Sequence, residues 1–250
     1  MFGILGFVAV LLIWELASSS EYGFGLVKRV QLSSPTLIFQ AAVTEISSGA
    51  IWPHLLESSK AYFAGLGAAL VTGIPLGLAI GSFRRLNYVL DPWLSAIYAT
   101  PSVALIPLII LIFGIDLEAK IVVVWLGTIF EVTVSAAAGV HAADARYHDI
   151  AQSFGASKRT TFRTVTLPAS VPYMLTGVRL ATGRALVGVV VSEFLAANAG
   201  IGFYISLNGS FFSTSKVFFG IIILGLVGVA LGELVRQVEK HFDRWRPALT

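Results

Sequence analysis

Cysteine is missing altogether from these 250 residues, and charge is scarce: Asp, Glu, Lys and Arg make up 12% of the chain. The first absence excludes a disulfide framework, a thiolate metal centre and a cysteine nucleophile. The second sets the chain apart from soluble domains, in which about a quarter of residues are charged. Histidine is sparse as well, four in all, which leaves little for metal chemistry. No basic patch is interleaved with aromatics, so 17 Lys and Arg against 14 Asp and Glu read as loop charge, not as a nucleic-acid footprint. What abounds is apolar: 56% of the residues are hydrophobic. The composition is that of an integral membrane protein.

A helix crossing about 30 Å of hydrocarbon needs roughly 20 apolar residues at about 1.5 Å each. Residues 61–83 and 92–115 carry no charge and are the surest spans. Residues 117–140 form another, interrupted by Glu131; residues 172–196 hold Arg179, Arg184 and Glu193; residues 217–235 follow. Phe2 to Ala17 is the shortest candidate. A cleaved signal peptide competes with a retained helix there, but its basic leading region is missing. Gly73, Gly77 and Gly81 share one helix face, as do Gly228 and Gly232, and such faces let a neighbouring backbone approach. Pro101 and Pro107 predict a kink or break.

Cations are retained on the cytoplasmic side, and their distribution orients the chain. With both termini inside, Arg84, Arg85, Arg146, Lys158, Arg159, Arg163, Arg236, Lys240, Arg244 and Arg246 are cytoplasmic. Lys28, Arg29, Lys60, Lys120 and Lys216 are external. The expected fold is all-α with six transmembrane helices. Residues 1–60 hold the first helix and an external connector with an interfacial helix near 36–47. Residues 61–240 form a core of five helices, with a cytoplasmic loop at 141–170, and 241–250 is a tail.

That loop is longer than joining two helices requires, and its apolar positions are periodic. Ile150, Ala151 and Phe154 share one face of a short helix, with Gln152 and Ser153 on the other. Gly155 is a helix stop, Ser157 an N-cap for a second short helix, and Leu167-Pro168 its expected end. An apolar knob with a basic flank suits docking into a groove of another protein. His141, Asp144 and His148 have a spacing that metal ligands can use, but a solvated loop face is the plainer reading.

The order Asp149-Ile150-Ala151, three residues, Gly155, nine residues, Val165, one residue, Leu167-Pro168 resembles the EAA signature of bacterial ABC-importer permeases, E-A-A-x3-G-x9-I-x-L-P. Asp149, Ile150 and Val165 depart from it in residue type; the spacing is the same throughout. "PWLSAIYATPSVALIPLIILIFGI" and "VGVVVSEFLAANAGIGFYI" are similar to the nitrate, sulfonate and taurine type of permease. The resemblance spans residues 55–240 and implies a type I ABC-importer permease architecture in a bacterial inner membrane. It also implies that Asp149, Ile150, Ala151, Phe154, Gly155, Ala156, Ser157, Lys158, Leu167 and Pro168 dock a cytoplasmic ATPase subunit. A second permease subunit, an external solute-binding protein and the lipid bilayer complete the implied partners. No lysine precedes Ser or Thr, so the chain has no Walker A loop; it binds no cofactor, and ATP and Mg belong to the partner. The implied solute is an oxyanion such as nitrate, a sulfonate or taurine, or a vitamin precursor.

Ionisable groups at bilayer depth are functional candidates by default. Glu131 lies about 13 Å deep at 1.5 Å per residue, and Arg179 lies at comparable depth. Glu131 is expected to pair with Arg179 or Arg184, either to fix helix register or to line a pathway. Glu193 and the break at Pro101 are the other pathway or gate candidates. Neither a nucleophile triad nor paired carboxylates sit at a shared depth, so no active site is visible. An ion-coupled secondary transporter is the rival reading; it would carry midplane carboxylates and an internal repeat.

Overall fold

The computed structural model describes residues 2–18, 32–143, 145–195 and 197–242, and all regular structure in them is helical. Lys28, Arg29, Asp144, Arg244 and Arg246, named above, lie outside the described residues. In chain order the α-helices are α1 Phe2–Ser18, α2 Pro35–Ser47, α3 Ile51–Ser82, α4 Arg84–Ala99, α5 Ile106–Phe113, α6 Leu117–His141, α7 Ala145–Ser153, α8 Lys158–Thr161, α9 Leu167–Leu195, α10 Ile201–Ser210 and α11 Thr214–Phe242. Four helical stretches are long and apolar enough to cross a membrane among the described residues: Ile51–Ser82, Leu117–His141, Lys158–Leu195 and Thr214–Phe242. The remaining apolar helices are shorter.

The contacts divide the chain into two units, one of Met1–Ser59 and Val190–Val227, the other of Lys60–Val189 and Gly228–Thr250. In the first, Ile38, Ile51, Ile201, Ile205 and Phe219 form a buried cluster. Helix α2 is the expected connector helix. Its start is set by Pro35 in the first turn and by Ser34 Oγ, which accepts from Leu37 N at 3.3 Å. Glu15 ties α1 to it, accepting from Thr36 N and Oγ1 at 3.0 and 2.8 Å. Lys216 Nζ reaches the buried Glu45 carboxylate at 2.7 Å.

In the second unit the glycine face of α3 lies on α6. A Cβ on Gly73 would meet Ile129 O and Val132 at 3.1 Å, one on Gly77 would strike Thr133 O, and one on Gly81 would stand 2.6 Å from Val140 Cβ. The four-residue spacing thus brings two backbones together, as small-residue faces do in lipid. Val124, Val132, Ala181 and Ala185 are fully buried beside this seam. Gly228 meets only Leu186, and Gly232 has open space, so the second glycine pair makes no comparable seam within the unit.

The break expected at Pro101 is present, whereas the expectations at Pro107 and Pro168 need correction. Residues 92–115 are not one continuous helix: α4 ends at Ala99, Thr100 and Pro101 are extended, a 3-10 turn covers Ser102–Leu105, and α5 has eight residues. Pro101 drives Thr100 out of the helical region, whereas Pro107 sits in the first turn of α5, where its missing donor is not needed. Leu167-Pro168, for its part, ends no helix. The chain passes from α8 through a π-helical turn, Phe162–Thr166, into α9 without a stop. Leu167 N donates to Phe162 O, five residues back. The wider turn shifts the carbonyl that the Pro168 ring would otherwise hit, so the helix survives its proline.

Candidate functional site

The 145–168 segment is a folded knuckle. Helix α7 ends in a closed turn: Ala156 N donates to Ala151 O at 3.0 Å, Gly155 N donates to Gln152 O at 2.8 Å, and Gly155 takes φ +73°. This reverse pairing with a left-handed glycine is the common way to satisfy the last carbonyls of a helix. Ser157 then caps α8, its Oγ accepting from Thr160 N at 3.2 Å. Asp149, Ile150 and Phe154 are exposed; Phe154 is 88% accessible and Ile150 53%. Ala151, Ala156, Leu167 and Pro168 are half-buried, and Ser157 and Lys158 exposed. The capped turn holds the Phe154 ring outward, away from the packed interior of the described residues.

The charges within the spans sort into separate arrangements. In the second unit, Arg184 Nε lies 2.9 Å from the buried Glu131 Oε1, an ion pair in which the N–H is not aimed at that oxygen. Arg179 turns instead to Glu239 of α11, at 3.3 Å. The Arg184 pair borders the break in the α4–α5 segment. Thr100, Pro101, Ser102, Phe130 and Arg184 line a cavity of about 230 Å³ there. Glutamine at Glu131 is expected to lower both assembly and uptake by several-fold; if both stay at the unaltered level, neither the register nor the pathway role survives.

Glu193 sits in the first unit, and its environment is unlike that of a surface carboxylate. It is 1% exposed. Ser58 Oγ donates to its Oε1 at 2.7 Å, and Gly202 N donates to its Oε2 at 2.8 Å. Ser58 Oγ in turn accepts from Ile201 N at 2.8 Å, and His54 Nδ1 accepts from Gly200 N at 3.2 Å. The carboxylate therefore closes the N-terminus of α10, where backbone donors and the helix dipole favour negative charge. Gly200, at φ +130°, has no room for a side chain because the Glu193 carboxylate fills that space. Ser58 and His54 are hydrogen-bonding partners at this helix start that the sequence did not reveal, since 135 residues separate Ser58 from Glu193 and nothing local marks the pair. Alanine at Glu193 would orphan the Ser58 hydroxyl and the Gly202 N–H, at about 1–3 kcal/mol each. Thermal unfolding of the detergent-purified protein should show this loss, with Glu193→Gln milder than Glu193→Ala; equal stability of all three proteins would remove the clamp.

Comparison with known proteins gives this geometry its setting. A putative aliphatic sulfonates transport permease protein, SsuC of Bacillus subtilis (strain 168), is 34% identical over 248 residues, covering 98% of this chain and 88% of the relative. The taurine transport system permease protein TauC of Escherichia coli (strain K12) is 30% identical over 247 residues, covering 96% and 88%. Among solved structures, an inward-facing MetNI methionine ABC transporter chain superposes with a TM-score of 0.69 at 14% identity, covering 78% of this chain and 98% of that one. The fold is therefore that of ABC-importer permeases. Residues 73–245 match the family of binding-protein-dependent transport system inner membrane components, and the chain belongs to that family.

Proposed function

We propose that the chain is the transmembrane permease subunit of an ATP-driven, binding-protein-dependent importer of a small oxyanion, working with a second copy of itself. The knuckle carries this reading: a rigid, outward-facing Phe154 on a capped turn, flanked by Lys158, Arg159 and Arg163, has the form of a coupling element for a cytoplasmic ATPase. ATP and Mg are bound by that partner. Both termini lie in the cytoplasm, so the knuckle faces the cytoplasm too. The first 60 residues form an added helix and connector, residues 61–240 the permease core and 241–250 a tail. A solute-binding protein delivers cargo from outside.

The pathway runs past Pro101 and the Glu131–Arg184 pair, where an apolar-walled cavity holds a cationic group suited to a sulfonate-like anion. Arg179 and Glu193 serve as braces, since each is engaged by a neighbouring element of its own unit. The sulfonate and taurine relatives support the same solute class. To test the reading, the chain is reconstituted with its ATPase and binding protein in proteoliposomes and offered a radiolabelled alkanesulfonate. ATP-dependent accumulation that survives an ionophore is the expected result. Uptake driven by an ion gradient alone would instead identify a secondary transporter, and ATP-driven uptake of a neutral pyrimidine but no sulfonate would replace the solute class.

A further inference from the structure

We propose that a cavity behind the knuckle is a binding site for an anionic phospholipid, with the phosphodiester held by Lys158 and Arg159 and an acyl chain lying against α3. The cavity measures about 1150 Å³ and belongs wholly to the second unit. Its walls are mainly apolar, from Leu78 and Ala79 near the end of α3, Phe83 just after it, Val140 at the end of α6 and Phe162 from the π-helical turn, with Gln152 and four Ser and Thr residues as the polar part. Its cations are Lys158 and Arg159, both exposed, and no acidic residue lines it among the described residues.

Three observations choose the occupant. The first is position: α3 and α6 are membrane spans by length and composition, and the cavity takes in their last turns, at Ser82 and Val140. A site at that level meets the headgroup boundary rather than the hydrocarbon centre. The second is its division into parts, an apolar wall with two cations, which matches a lipid in both chemistry and order along the membrane normal. Basic pockets between spans on the cytoplasmic side are where acidic headgroups bind. A free phosphate would satisfy the cations but leave the wall in contact with water. The third is that the apolar knob stays free: Ala156, Ser157 and Lys158 line the cavity, but neither Ile150 nor Phe154 does. The Phe154 ring and the lipid thus use different parts of the knuckle, which share Ala156, Ser157 and Lys158, and a bound lipid would brace the π-helical turn through which α8 joins α9.

The test uses the full chain purified in detergent, with lipid binding followed by native mass spectrometry during titration with phosphatidylglycerol, phosphatidylcholine or inorganic phosphate. Phosphatidylglycerol is expected to bind, phosphatidylcholine to bind far more weakly, and inorganic phosphate not to displace the lipid. The double variant Lys158→Gln, Arg159→Gln should weaken phosphatidylglycerol by about 25-fold, since each cation near an anionic surface contributes about a factor of five. Arg85→Gln, outside the lining, should leave binding within experimental error. Leu78→Trp should block binding with both cations intact. Equal binding of the two lipids by the unaltered protein would overturn the proposal without recourse to any variant. Displacement by inorganic phosphate would overturn it too, reducing the site to one for a simple anion.

Discussion

Aspartate in place of Phe154 is expected to abolish ATP-driven uptake while the chain still inserts and folds. The ring is 88% exposed and packs on nothing that the fold needs, so removing it costs little stability. In the proposed complex it is the anchor. Aromatic anchors at the centre of an interface typically contribute about 2–4 kcal/mol, and a buried carboxylate adds a desolvation cost on top. At about 1.4 kcal/mol per tenfold, docking should weaken by at least about 30-fold. Co-purification of the ATPase and ATP hydrolysis stimulated by the binding protein would both report it. Gly155 should behave differently from Phe154. A side chain there meets nothing within 4 Å, so the penalty lies only in the left-handed backbone at φ +73°. That penalty is about 1–2 kcal/mol. Gly155→Val should therefore loosen the turn and impair coupling only partly, and an effect as large as that of Phe154→Asp would mean that the glycine itself touches the partner.

Valine at Gly77 should have the largest effect on folding. The added Cβ would strike the Thr133 carbonyl oxygen and stand 2.7 Å from Ala136 Cβ. A backbone oxygen within a helix cannot swing aside as a flexible side chain can. The α3–α6 seam must then open, and overpacking of this kind costs about 1–3 kcal/mol or more. The same helix supplies its own control. A methyl group added at Gly67 would have nothing within 4 Å of it, and alanine is favoured over glycine inside a helix by about 1 kcal/mol. Gly67→Ala should leave the protein as stable or slightly more so, while Gly77→Val should lower its melting temperature and its yield. Equal behaviour of the two would mean that α3 does not lie on α6 through this face.

The parts of this architecture that were legible in the sequence are those set by local chemistry. Three glycines four residues apart foretold a close helix approach but not that α6 would make it, Gly155 and Ser157 foretold the turn and cap of the knuckle, and Ser34-Pro35 opens a helix where the connector was expected to carry one. What was hidden depends on partners distant in sequence or on how strain is absorbed. A proline reads as a stop because it lacks a donor and crowds the preceding turn, yet Pro168 is carried inside a continuous helix by a π-helical turn whose presence no residue announces. Pro101 does break its segment, and the break divides an apolar stretch long enough to span into pieces that are not.

Charge was legible as to presence but not as to pairing. Glu131 had two arginines within reach by depth alone. The helix rotation that gives it Arg184 and sends Arg179 to Glu239 follows from packing among α6, α9 and α11, which periodicity does not resolve. Glu193 was legible only as a pathway or gate candidate near the end of an apolar run; its burial as the acceptor for a helix N-terminus depends on Ser58 and Gly202. Burial of a charge is tolerated there because several donors converge on it.

Because the chain has no cysteine, a single Ile150→Cys substitution creates a unique label site on the exposed face of the knuckle and leaves the Phe154 ring in place. The decisive measurement is its reaction with a membrane-impermeant maleimide in sealed right-side-out and inside-out vesicles, with and without the ATPase partner. Labelling only from the cytoplasmic face, and protection once the ATPase is bound, is the predicted result. Labelling from the external face, or a rate that the ATPase leaves unchanged, would contradict the coupling role.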